Sequence, residues 1–157
     1  MATEKPQLIW HYTAKVHLEN ILQDGLLKVS EFEKQQRFKK PSLWFSANQE
    51  WEPTATKLAG DGLGGIRSLT KEEMHELFGL ARISVKYSEL KFNTWAAYKH
   101  ISGLATSWLD NMEKVGIEKG GNPKEWFVTF NSIPENEWVN VQIWDGDEWV
   151  ECEVIED

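Results

Sequence analysis

The eighteen residues Trp10 to Leu27, W-H-Y-T-A-K-V-H-L-E-N-I-L-Q-D-G-L-L, decide the fold class. From Gln7 to Tyr12 the chain is short and apolar, and Trp10 and Tyr12 favour extended backbone. Between Ala14 and Asp24, Val16, Leu18, Ile21 and Leu22 recur at helical spacing. Gly25 then stands where a helix ends in a left-handed residue. A strand turning directly into a helix is therefore expected, with His11, Tyr12 and Thr13 at the strand end. Those positions also have a plain structural use, since Thr13 ahead of Ala14 is a good N-cap.

Outward from this unit, Ser42 to Ser46 (S-L-W-F-S) reads as a second strand after Pro41. Residues 47–67 form a long excursion ending in Gly60-Asp61-Gly62-Leu63-Gly64-Gly65, which is irregular. Thr70-Lys71-Glu72-Glu73 has the T-x-x-E form of a capping box, opening a short helix that stops at Gly79. Leu80 to Lys86 alternates as a third strand. One long helix is expected from Asn93 or Thr94 to about Lys114, with Trp95, Tyr98, Ile101, Ala105, Trp108 and Met112 as its buried stripe and Gly116 as its stop. Trp126 to Phe130 is a strand, and Trp138–Trp144 with Glu148–Val154 alternate around the hairpin signal Asp145-Gly146. No internal repeat or low-complexity tract interrupts the series. A strand and helix first, a mixed middle and a hairpin last describe an α+β chain, one domain over residues 1–157.

Composition narrows the class further. A chain of 157 residues buries about two-thirds of its unfolded surface as one domain. No apolar run approaches the roughly 20 residues of a membrane helix, so no membrane partner is expected. Met1 to Pro6 lacks the charged-then-apolar pattern of a secretory signal. Cys152 is the lone cysteine, which excludes an internal disulfide and a zinc cage of several thiolates. A reducing cytoplasm is the expected location. The nine tryptophans either stitch a core together or line a pocket for a flat ring, and both can hold at once.

Charge is uneven. Residues 135–157 hold nine acids and no Lys or Arg, leaving residues 1–134 at about +1 (17 basic, 16 acidic). The C-terminal hairpin is an acidic surface that repels nucleic acid and suits a basic partner. The one basic concentration, Lys34, Arg37, Lys39 and Lys40, is diluted by Glu31 and Glu33 and reads as a solvated loop or short helix.

Most catalytic signatures are absent. His11, His17, His75 and His100 show no i,i+4 pairing and no H-E-x-x-H, so no metal is expected. Glu151 and Glu153 beside Cys152 would raise its thiol pKa, which argues against a cysteine nucleophile. The Gly60–Gly65 stretch does not run into a helix through Lys-Ser/Thr and reads as a loop, not a phosphate cradle.

Two segments remain, and both resemble one family. Trp10–Leu27 is similar to the N-terminal motif of ADP-ribosyltransferase-like proteins, above all the branch with the DarT DNA ADP-ribosyltransferases and uncharacterised bacterial and phage relatives. There a strand ending in His-x-Thr precedes a helix of the form NLxxILxxGLL. Leu43–Ser46 (L-W-F-S) resembles the second motif, an aromatic strand ending in a small hydroxyl residue. The close match spans about 18 residues and the second motif four; the rest agrees in element order.

The resemblance implies a split mixed sheet with a long central helix and a C-terminal β-hairpin. It also implies NAD as substrate and mono-ADP-ribosylation of a protein or nucleic-acid acceptor. His11 would bond a ribose hydroxyl, Thr13 the nicotinamide side or its ribose, and Tyr12, Trp44 and Trp51 would stack on the nicotinamide. Ser46 would brace a carboxylate that stabilises the positive ribose as nicotinamide departs. That carboxylate is expected at Glu137, with Glu135 as neighbour; Glu52 and Glu50 are rivals, and each acid can equally be a surface residue. Arg82 would grip the diphosphate or align the nucleophile, or simply form a salt bridge. The alternative is a non-catalytic module of the same fold that binds a nucleotide or a basic protein through the acidic hairpin. An RNA-directed phosphotransferase of the superfamily is the third reading, its cations being Arg82, Arg67 and the 34–40 cluster.

Overall fold

The computed structural model describes residues 6–30, 33–34, 40–55, 58–60 and 66–152, the segments 58–60 and 66–68 by their backbone alone. Strand β1 (Leu8–Ala14) leads straight into helix α1 (Lys15–Asp24), which ends on Gly25 at φ 62°. Next come β2 (Leu26–Leu27), β3 (Leu43–Ser46), and the small hairpin of β4 (Leu58–Gly60) and β5 (Ile66–Ser68). Helix α2 (Lys71–Phe78) starts at the Thr70 capping box: Thr70 Oγ1 accepts from the Glu73 N–H at 3.1 Å, and Glu73 Oε1 accepts from the Thr70 N–H at 3.1 Å. Strand β6 (Leu80–Lys86), β7 (Asn93–Thr94), helix α3 (Trp95–Ile101) and helix α4 (Thr106–Glu118) follow. Strands β8 (Trp126–Thr129), β9 (Ile133–Pro134), β10 (Trp138–Trp144) and β11 (Trp149–Glu151) complete the series.

Seven strands form one sheet in the order β11-β10-β6-β1-β3-β8-β7. Every pairing among the described strands is antiparallel, which corrects the expected mixed sheet. Between neighbouring strands, β10 and β11 are joined by a tight turn, whereas the path from β1 to β3 includes α1 and that from β7 to β8 includes α3 and α4. Strands β1 and β6 share a full ladder from Leu8↔Lys86 to Ala14↔Leu80. By contrast, β1 and β3 meet at the single register pair Trp10↔Ser46. Beyond that pair the strands part, and the His11 side chain spans the gap to the Trp44 carbonyl at 2.8 Å.

The two faces of the sheet differ. Ile9, Leu43, Phe45, Ala81, Ile83, Val85 and Phe127 lie with Leu18 of α1 and Leu27 in the main core. A second cluster holds Trp95 and Tyr98 of α3 and Leu109 of α4 against Trp126 and Val128. Trp44, Trp95, Trp126 and Trp138 take part in this packing, and several indole N–H groups find acceptors: Trp10 on Gln49, Trp44 on Glu33, Trp95 on Glu113 and Trp149 on the Glu50 carbonyl.

Three local expectations need correction. The long helix is two, broken at Ser102 and Gly103, where φ is 77°. Its stripe divides accordingly: Trp95 and Tyr98 are buried, whereas Ile101 and Trp108 are exposed. Gly116 is no stop signal, because it sits inside α4 with the Trp126 ring against it. Thr13 is not an N-cap either. It pairs with Ala81 in the β1 ladder, and Ala14 stands at the cap without a side-chain bond. The C-terminal hairpin forms with Gly146 at φ 112°, and its second strand is described only to Cys152. Among the described residues, no helix is long and apolar enough to cross a membrane.

Candidate functional site

Where β1 and β3 part, a cavity of about 470 Å³ opens. Trp10, His11 and Tyr12 of β1 and Trp44 and Ser46 of β3 form one wall; Met112, Val115 and Gly116 of α4 form the other. A second cavity of about 600 Å³ lies between β1, α1 and β3, with Thr13, His17, Asn20 and Lys28 on its walls. His11 and Trp44 are therefore wall to both spaces.

Glu52 is the acid in the first cavity. The chain leaves β3 through a turn in which Asn48 Oδ1 accepts from the N–H groups of Glu50 and Trp51, at 2.9 and 3.2 Å. That turn brings residue 52 back over the end of β3. Ser46 Oγ donates to Glu52 Oε1 at 2.9 Å, while the Thr54 N–H and Oγ1 both donate to Oε2, at 3.0 and 2.7 Å. The carboxylate is 6% exposed and no ion pair reaches it among the described residues. Two oxygens offer about four acceptor positions, so three donors leave one open on Oε1.

His11 is half-buried, and desolvation lowers its pKa while the bond to the Trp44 carbonyl partly opposes. The ring is thus neutral at pH 7. Since Nδ1 faces a carbonyl at 2.8 Å it must carry the proton, which leaves Nε2 as an acceptor. Desolvation also pushes the Tyr12 phenol up to about 12, so it stays protonated and donates to the Asn48 carbonyl at 2.5 Å. Glu125 sits beside this turn, its carbonyl accepting from the Ala47 N–H at 2.8 Å. Burial first, and then the charge of Glu52, raise the Glu125 pKa.

The other expected acids lie elsewhere. Glu137, first choice from the sequence, is in a turn before β10, half exposed and ion-paired with Lys91. Glu135 covers Gly25, its Cδ 3.4 Å from where a Cβ would be. Glu50 is exposed. None of the three lines either cavity. The notion of a catalytic acid near residue 137 thus has no geometric support, while its rival at 52 meets His11, Tyr12, Trp44 and Ser46 in one space.

Arg82 does not line the cavity; it stands behind its wall. Its Nε donates to Gln142 Oε1 at 2.8 Å, and one terminal nitrogen donates to the Gln49 carbonyl at 2.5 Å and to Tyr12 Oη at 3.3 Å. The guanidinium lies 3.7 Å from the Trp10 ring centre and 4.5 Å from that of Trp149. Register explains this, because Tyr12↔Arg82↔Gln142 form one row across three strands. Arg82 fixes the rings and the 48–49 turn that shape the cavity. Trp51 is placed similarly, edge-on to Tyr12 at 5.3 Å. Arg37 and Lys39 of the basic cluster, the side chain of Arg67 and residues 61–65 lie outside the described residues.

Thr54, Trp126 and the α4 residues that close the cavity stand outside both short motifs. Trp126 is 7% exposed and its Nε1 has no acceptor among the described residues. Nothing local to W-E-P-T or K-E-W-F announces these roles, since each depends on contacts made across the sheet. No group of three or more His, Cys, Asp or Glu arranged to hold a metal ion occurs among the described residues. Comparisons with protein-family models, with curated proteins and with solved structures find no match to this chain.

Proposed function

We propose that this chain is an NAD-dependent mono-ADP-ribosyltransferase acting on a macromolecular acceptor, with Glu52 as its catalytic carboxylate. The observation that carries the reading is the meeting of Glu52 and His11 in one cavity at the parting of β1 and β3. This parting is also what supports the split-sheet architecture implied by the Trp10–Leu27 resemblance. The nicotinamide riboside end would sit in the first cavity beside Glu52, and the second, which shares His11 and Trp44 as wall residues, is the neighbouring space on the side of Thr13 and Lys28.

In the proposed reaction the C1′–N bond of NAD+ breaks and nicotinamide leaves with the bonding pair. An acceptor heteroatom then bonds C1′ and releases its proton. Positive charge builds on the ribose between these events. The open acceptor position on Glu52 Oε1 would take a ribose hydroxyl and stabilise that charge, with Ser46 and Thr54 holding the carboxylate in advance. A preorganised group of this kind contributes about 3–4 kcal/mol, or roughly 10²–10³ in rate. His11 Nε2, an acceptor, would take a second hydroxyl.

The test is release of nicotinamide from labelled NAD by wild type, Glu52→Gln, His11→Ala and Glu137→Ala. Expected are a loss of roughly 10²–10³ for Glu52→Gln, a smaller loss for His11→Ala and none for Glu137→Ala. Wild-type protein that releases no nicotinamide overturns the reading. An NAD-dependent rise in melting temperature without release would instead favour the binding-only module.

A further inference from the structure

The cavity at the seam contains a charge without a counter-charge. Glu52 accepts only from the neutral donors of Ser46 and Thr54. His11 beside it is uncharged at neutral pH because burial lowers its pKa. Lys119, at the end of α4, is the one Lys or Arg on the cavity wall, and no ion pair joins it to Glu52. Burying a carboxylate away from any cation is expensive, and hydroxyl and amide donors offset only part of that cost. Glu52 does cap the short turn Pro53–Ala55. A turn on the surface needs no such burial, however, and capping does not account for the space beside it.

That space is walled largely by aromatic side chains. Trp10, Tyr12, Trp44, Trp95 and Trp126 line it, and its volume of about 470 Å³ is that of a small-molecule site. Aromatic rings around a buried carboxylate attract one kind of guest, because each ring presents negative charge on its face and the carboxylate adds a full charge. A hydrated metal ion would forgo its waters for apolar walls. An alkylated organic nitrogen, weakly hydrated and of matching size, loses little on entry.

We infer that the cavity at the β1–β3 seam is a site for a small organic cation, an N-alkylated pyridinium or a quaternary ammonium group, held among aromatic side chains with Glu52 as its counter-charge. The inference deepens the NAD reading, since the nicotinamide of NAD+ is such a pyridinium. It nonetheless stands on the cavity alone.

Binding of matched cationic and neutral twins tests it: 1-methylnicotinamide against nicotinamide, and choline against 3,3-dimethylbutan-1-ol, each by calorimetric titration of the full chain. At least one cation should bind about tenfold or more tighter than its neutral twin. Glu52→Gln, checked for folding by its melting curve, should abolish that preference. Equal binding within both pairs, or binding of none of the four, overturns the inference; the wild-type comparison decides this even if the variant fails to fold. Cation preference in a protein that releases no nicotinamide from NAD upholds the site and removes the transferase reading. Nicotinamide release without cation preference does the reverse.

Discussion

Gly116 offers a prediction whose sign separates packing from propensity. It lies within α4, and an alanine there should on propensity alone stabilise the helix by about 1 kcal/mol. The structure argues the opposite. A Cβ at position 116 would sit 2.5 Å from Cη2 and 2.8 Å from Cζ2 of Trp126, and 3.3 Å from Cγ2 of Thr54. The indole cannot retreat freely, being edge-on to Trp95 at 5.4 Å. Overpacking of this kind costs about 1–3 kcal/mol, so after the propensity gain Gly116→Ala should be destabilising by up to roughly 2 kcal/mol net. For a chain of this size the melting temperature should fall by up to about 8 °C. A control isolates the cause: in a Trp126→Phe background the two offending ring atoms are gone, and the same substitution should become neutral or stabilising. Thermal melts of the four proteins measure it. A single variant that melts above wild type, or an unchanged penalty in the Phe background, would refute the reasoning.

Three further outcomes are expected. Thr70→Ala removes the hydroxyl that accepts from the Glu73 N–H and should cost about 1 kcal/mol, read as a melting temperature lower by roughly 2–4 °C. For Glu125 the folded pKa is raised above its ordinary 4.5, so its contribution to stability is present below that pH and lost as pH rises through the folded value. Urea melts should therefore show Glu125→Gln gaining on wild type between acid and neutral pH, and a gap independent of pH would contradict this. Glu52→Gln should lower the Glu125 pKa, because it removes the charge that adds to burial in raising it.

How much of this was legible in the residues follows from the range of the interactions. Strand β1, helix α1 with its Gly25 end, the Thr70 capping box and the Asp145-Gly146 turn are set by neighbours in sequence, and local pattern found each of them. The break at Gly103 was masked by aromatic spacing that continues from Tyr98 to Trp108, although only the first part of that stripe is buried. Gly116 looked like punctuation because glycine ends helices so often; its reason is a ring delivered by a strand ten residues later. The site shows the same divide. His11, Trp44 and Ser46 could be nominated from short motifs, and they do share a cavity. Choosing among the glutamates could not be done that way. Glu52 and Glu137 are alike as residues, and only the turn after β3, the donors on Ser46 and Thr54 and the partnering of Glu137 with Lys91 separate them.

The most direct measurement is a crystal structure of the wild-type protein with a non-hydrolysable NAD analogue. The nicotinamide ring should lie in the cavity between β1, β3 and α4, with a ribose hydroxyl within about 3 Å of Glu52 Oε1. A dinucleotide seated elsewhere, or one that leaves Glu52 bonded only to Ser46 and Thr54, would contradict the account.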